Sequence, residues 1–331
     1  MPIQLIIIIA VSAFFATALL GFIFVPLLRR LKFGQTILDI GPKWHKEKEG
    51  TPTMGGIMFI IGIVATVLIS VVVMPSFSVS FSPVDSVKLW AGIGLAVFLG
   101  FIGFIDDFIK IRKKRNLGLT AKQKTFFQLL IIAAYLATIF IAGEEYTSVW
   151  IPFVGEFNFG IFYYPVMLVG IYFVVNAVNL TDGIDGLCAS VTAVCSAVIV
   201  MCAGFLHIYS VYIFGVAVSA AMIGYLLWNL KPAKVFMGDT GSMFLGGAVV
   251  AMAVGINKPL ILLLCGGIYI IEALSVVLQV ISFKLTGKRI FKMSPIHHHF
   301  EMSKWSENKI VIIFTLVTAI LGGVGYLAVI I

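Results

Sequence analysis

Apolar runs about 20 residues long recur along this chain and constrain its fold more than any other feature. A helix rises about 1.5 Å per residue, so each run is long enough to cross a hydrocarbon core about 30 Å thick. Hydrophobic residues make up 60% of the 331 and charged residues only 11%, against about 25% charged in a soluble domain. Ten spans can be marked, at roughly 3–28, 55–74, 87–107, 125–142, 163–180, 187–206, 210–229, 241–257, 260–283 and 309–329. The expectation is an all-α polytopic integral membrane protein with ten transmembrane helices, forming a single bundle over residues 1–331.

The first run reads as a span rather than a signal peptide, because it is too long, lacks a basic leader and has no small-residue cleavage site after it. Cys188, Cys195 and Cys202 recur every seven residues and therefore share one helix face, as packing residues would. With Cys265 in another apolar run and no Cys-x-x-Cys pair, a zinc site is not expected.

The connections alternate in charge. Of the 23 lysines and arginines, 21 lie in or immediately beside the loops 29–54, 108–124, 181–186, 230–240 and 284–308, and only Lys88 and Lys258 lie on the other side. By the positive-inside rule those loops are cytoplasmic and both termini extracytoplasmic. The net charge of +8 is thus gathered on one face. It suits anionic lipid headgroups or an anionic, phosphorylated substrate, and no recognition motif accompanies it that would suggest nucleic acid. Residues 143–162, with alternating aromatic and polar residues around Gly155, suggest a small hairpin on the outer side. Neither a fixed-period repeat nor the inverted repeat of transporters is evident.

Five of the fifteen acids stand at cytoplasmic span ends: Asp106, Asp107, Asp182, Asp185 and Asp239. Asp106 and Asp107 are about 100° apart around a helix, so they face different ways, and Lys110 is within pairing reach of both. As a plain boundary pair they would oppose the helix dipole. Asn179, Asp182 and Asp185 are spaced by three, with Gly183 and Gly186 opening the helix into a turn. The spacing and the missing terminal glutamate rule against a calcium loop of the EF-hand type. Asp239-Thr240-Gly241-Ser242 precedes an apolar run and reads as a helix N-terminus, suited to a phosphate, a hard cation, or simply capping.

His297, His298 and His299 are consecutive, which points them in different directions and suits phosphate donors better than a three-histidine zinc site. Lys48 adds a cation beside Thr51-Pro52-Thr53-Met54-Gly55-Gly56. Glu272 and Gln279 lie inside the ninth span, where polar groups are expensive. Glu272 suggests helix–helix pairing, and Gln279, seven residues nearer the cytoplasmic end, a ligand contact.

TPTMGG, the Asp-Asp pair before a basic loop, NLTDGIDGL, FMGDTGS and PIHHHF occur in that order. Together they resemble the phospho-N-acetylmuramoyl-pentapeptide transferases of the polyprenyl-phosphate N-acetylhexosamine-1-phosphate transferase superfamily, over essentially the whole chain. The resemblance implies a Mg2+-dependent enzyme of the bacterial inner (cytoplasmic) membrane. It would transfer phospho-MurNAc-pentapeptide from UDP-MurNAc-pentapeptide to undecaprenyl phosphate, giving lipid I and UMP for peptidoglycan synthesis, at an active site on the cytoplasmic face. It makes Asp106, Asp107, Asp239 and His298 catalytic candidates, and Asp239 with Asp182 the metal ligands. Substrate-binding candidates are Lys48, Thr53, Lys110, Lys122, Asn179, Asp182, Gly183, Asp185, Asn229, Phe236, Gln279, His297 and His299, with Lys48, Asp185, Asn229 and Phe236 forming a uridine pocket. Membrane lipids are expected partners, and a homodimer is compatible with the family. A UDP-GlcNAc-using transferase would share the aspartates, whereas PIHHHF follows the muramoyl pattern. An ion-coupled transporter would need charges at mid-membrane, for which Glu272 is the main candidate.

Overall fold

The computed structural model describes residues 1–31, 33, 48–113, 117–143 and 147–331. Most of the basic loop 29–54, residues 114–116 of the next one and residues 144–146 of the expected hairpin segment lie outside the described residues. Nine helices among the described residues are long and apolar enough to cross a membrane. They are α1 (Ile3–Arg30), α2 (Gly56–Val73), α3 (Pro83–Arg112), α4 (Ala121–Ile141), α5 (Tyr163–Thr181), α6 (Leu187–Phe205), α7 (Tyr209–Asn229), α10 (Gly267–Thr286) and α12 (Glu307–Ile330). Local chemistry sets several of their starts. Ser82 and Ser306 accept hydrogen bonds from the third residue of α3 and α12, and Thr120 with Gln123 forms a reciprocal capping box on α4.

The expected span 241–257 is α8 (Gly238–Gly255), which is not among the nine. Five glycines together with Asp239, Thr240 and Ser242 dilute its hydropathy. Every residue from Thr240 to Gly255 is nevertheless buried, so α8 is enclosed by other helices and has little need of a lipophilic surface. The expected span 260–283 is also not one helix. A 3-10 turn at Pro259–Ile261 leads into α9 (Leu262–Cys265), the chain breaks at Gly266, and α10 follows. A short helix, α11 (Ile296–Glu301), lies between α10 and α12. The fold is also not wholly helical: β1 (Ser148–Ile151) pairs antiparallel with β2 (Gly155–Asn158) as the anticipated hairpin. All four cysteines are free and buried.

Close packing around α8 rests on missing side chains. A Cβ added to Gly103 of α3 would strike the backbone of Asp239 and Thr240, and Gly56 of α2 meets Gly241 of α8 backbone to backbone. Such contacts let helices approach where lipid offers no hydrophobic drive to pack them. They also bring the end of α3 against the start of α8. Gly103→Ala is therefore expected to destabilise the fold by about 1–3 kcal/mol through overpacking. Gly94→Ala, on the same helix with open space around it, should not. Thermal unfolding in detergent checks this, and equal melting temperatures for the two variants would contradict it.

Candidate active site

The turn before the last of α3 carries Asp106 and Asp107, only 3% and 4% exposed, and the first turn of α8 carries Asp239. Carboxylate oxygens from the three lie within 4.8 Å of one another. Two buried carboxylates side by side are unfavourable alone, but here they face the positive N-terminal end of α8. Asp107 Oδ2 accepts from the Thr240 backbone N–H at 2.9 Å and from the Thr240 hydroxyl at 2.8 Å, so α3 supplies the cap of α8. Asp106 Oδ1 accepts from the Leu119 backbone N–H at 2.8 Å, which draws the segment before α4 over the cluster.

Two lysines balance these acids. Lys110 Nζ lies 2.6 Å from Asp106, 3.8 Å from Asp107 and 3.0 Å from Asp239, and Lys124 Nζ lies 2.9 Å from Asp239. Asn179 at the end of α5 donates to Asp239 Oδ1 at 2.9 Å and to Ser242 Oγ at 2.7 Å. Three carboxylates against two ammonium groups leave a formal deficit of positive charge. The cluster offers only oxygen donors, which suits a hard divalent cation.

The cluster joins Asp239 to Asp106 and Asp107, and Asp182 is not part of it. Asp182 follows α5, its backbone N–H donating to Asn179 O at 3.3 Å. Burial, and then repulsion from Asp239, Asp107 and Asp185, pushes its carboxyl well above the usual range. Gly183 lies against the ring of His297, and Thr53 is buried with its hydroxyl beside Gly238. Lys122 is exposed on the first turn of α4, while Lys124, which sequence reasoning passed over, reaches the cluster. Lys124 stands one helical turn before buried Gln128 and Lys122 one turn before exposed Phe126. A helical-face argument could therefore have separated the two.

The four residues anticipated around uridine are neighbours and already interlinked. Lys48 Nζ lies 2.7 Å from both Asp185 and Glu307. Burial opposes its charge, but these two carboxylates outweigh that and raise its pKa above the usual 10.5. Asp185 also accepts from the Ala233 backbone N–H at 3.0 Å. Asn229 accepts from the Gly186 N–H at 3.1 Å and donates to Val235 O at 3.0 Å. Phe236 is half-buried, its N–H donating to Pro52 O and its carbonyl accepting from Gly55 N–H, both at 2.8 Å. Glu307 was not anticipated. It is buried in the first turn of α12, where it also binds Lys231 at 2.8 Å, and from sequence it resembled an ordinary dipole-stabilising acid.

The three histidines separate in role. His298 Nδ1 lies 2.6 Å from Glu301, and His299 Nδ1 accepts from the Lys292 backbone N–H at 3.2 Å. His297 is fully buried and paired with Glu272 at 3.0 Å, so Glu272 joins α10 to α11 as interhelical pairing anticipated. Gln279 accepts from the N–H groups of Ile290 and Phe291 at 3.0 Å each and donates to Phe291 O at 2.9 Å. Its amide therefore pins the segment after α10.

Residues 89–257 match the profile of glycosyl transferase family 4, and residues 48–60 match phospho-N-acetylmuramoyl-pentapeptide-transferase signature 1. The signature covers Lys48, Thr53 and the start of α2. A Clostridium perfringens phospho-N-acetylmuramoyl-pentapeptide-transferase is 48% identical over 313 residues, 94% of each chain. The Halalkalibacterium halodurans protein of the same name is 47% identical over 92% of this chain and 91% of its own. That of Bacillus licheniformis is 46% identical over 96% and 97%. Identity at this level over nearly the full length, joined to the carboxylate cluster at the α3–α8 junction, places the chain in the phospho-N-acetylmuramoyl-pentapeptide-transferase family.

Proposed function

We propose that the Asp106–Asp107–Asp239 cluster is the reaction centre of this multi-pass membrane enzyme, and that Mg2+ is its cofactor. The reaction transfers phospho-MurNAc-pentapeptide from UDP-MurNAc-pentapeptide to undecaprenyl phosphate, yielding lipid I and UMP in peptidoglycan synthesis. The observation that carries the assignment is the gathering of three carboxylates and two lysines where apolar helices end. A lipid phosphate and a water-soluble nucleotide can meet only at such a boundary. α8 serves as the tenth span, the termini are extracytoplasmic, and the cluster opens to the cytoplasm, as the basic loops on that side support.

Asp106, Asp107 and Asp239 are the residues that would hold Mg2+. Bound there, the cation would neutralise charge on the diphosphate and favour departure of UMP. Lys110 and Lys124, now resting on Asp239, are placed to take phosphate oxygens. The attacking lipid phosphate has a second pKa of about 6 by analogy with phosphoesters. It needs no strong base, so Asp106 serves to orient it while Asp107 holds α8 in place. The Lys48–Asp185–Glu307 network and Asn229 shape the uridine side, with the Phe236 ring available for stacking. His298, held by Glu301, faces the diphosphate or sugar.

The family relationship favours the muramoyl substrate over UDP-GlcNAc. A transporter reading leaned on Glu272, which is paired with a buried histidine.

Asp239→Asn keeps the side-chain shape and can still sit at a helix start, but loses the charge a hard cation needs. Turnover, read as UMP release across a Mg2+ titration, should fall at least on the order of a hundredfold with little change in melting temperature. Activity within about threefold of the parent at low Mg2+ would remove Asp239 from the metal site. The two lysines of α4 give a second comparison. Lys124→Ala should cost about tenfold or more in turnover, because it removes a cation aimed at reacting phosphate. Lys122→Ala should leave the rate within about twofold, as an exposed charge away from the cluster would. Equal effects would contradict the assignment of Lys124.

A further inference from the structure

Glu272 is a carboxylate inside a membrane-spanning helix, fully buried, and no step above uses it. A polar group in that position is expensive unless something depends on it. Its Oε2 lies 3.0 Å from Nδ1 of His297, and the His297 backbone N–H reaches the same oxygen at 3.5 Å. The imidazole is fully buried too. The other polar atom of each side chain, Glu272 Oε1 and His297 Nε2, is buried with no hydrogen-bond partner among the described residues. Nε2 is the ring atom nearest to Gly183, so near that a Cβ at 183 would collide with it. Gly183 directly follows Asp182, and Asp182 is tied through its backbone to Asn179, which holds Asp239.

We infer that Glu272 is a positioning residue for the transfer reaction. It fixes the tautomer and orientation of His297, which in turn sets the Gly183 turn beside the carboxylate cluster. A carboxylate facing Nδ1 keeps the proton on that nitrogen, and the unprotonated edge of the ring, Nε2, is presented to the turn. Acceptor partners of this kind orient histidines at metal sites, where their removal typically costs about 10–100-fold. His297 therefore acts from beneath the site, in contrast to His298 and His299 on the same short helix. Burial gives the couple its strength, because neither hydrogen bond is exposed to bulk solvent.

The inference rests on the assignment of the 176–187 turn to the reaction centre, and its first test is independent of turnover. In full-length protein carrying 15N-histidine, NMR near neutral pH should show the His297 ring as the Nδ1–H tautomer, with His297→Gln used to assign its signals. The Nε2–H tautomer in the parent protein would overturn the proposal without any variant at 272. Glu272→Leu should release the ring to the Nε2–H form and lower kcat on the order of tenfold. KM for the UDP substrate should move by less than about threefold, because no substrate contact is removed. Glu272→Gln, whose carbonyl can still accept from Nδ1, should restore the parental tautomer and most of the turnover. An unchanged tautomer or unchanged kcat in Glu272→Leu would overturn it. So would a Glu272→Gln variant no better than the leucine variant, which would show that Glu272 only fills space.

Discussion

Asp107 of α3 accepts two hydrogen bonds from Thr240 of α8, and the rest of the site is arranged around that contact. The N-terminal turn of α8 leaves N–H groups that need acceptors, and its positive end favours a carboxylate. Asp107 meets both needs, and Asp106 and Asp239 are brought beside it as a consequence. The approach is allowed because Gly103 leaves room for the α8 backbone. A helix less apolar than its neighbours can thus stand at the centre of a membrane bundle, with its side chains enclosed by protein.

Electrostatic balance follows from the same junction. The cluster needs cations, and Lys110 and Lys124 supply two from different helices. Both share Asp239 as a partner, so each is suited to exchanging that carboxylate for a phosphate. Lys48, Asp185, Glu307 and Lys231 form a second balanced network that ties the segment before α2, the turn after α5 and the start of α12 together. Family membership gives this geometry its chemistry, and the geometry explains why the chemistry is confined to the ends of helices.

Much of this was legible before any coordinates. Of the ten spans marked from hydropathy, nine correspond to helices long and apolar enough to cross a membrane, and alternation marked the hairpin, because lipid imposes a strict length on apolar runs. The break at Gly266 was hidden inside an unbroken apolar run, where periodicity carries no signal. The motif order placed Asp106, Asp107, Asn179 and Asp239 together, since each lies at a helix end on one face. What the sequence could not supply was pairing between side chains far apart in the chain. The contact of Lys124 with Asp239, Glu307 as the partner of Lys48, and the approach of Asp106 to Asp239 all depend on how helices rotate against one another. The bonds of the Gln279 amide to the loop that follows α10 were likewise beyond the sequence, which marked only a polar residue inside a span.

The central claim is that the α3–α8 junction binds a divalent cation, and anomalous diffraction from crystals grown with Mn2+ in place of Mg2+ tests it most directly. A single peak among the carboxylates of Asp106, Asp107 and Asp239, at about 2.0–2.2 Å from at least one oxygen, is the predicted result. A peak bound only by Asp182 and Asp185, or none at the junction at saturating Mn2+, would contradict the account.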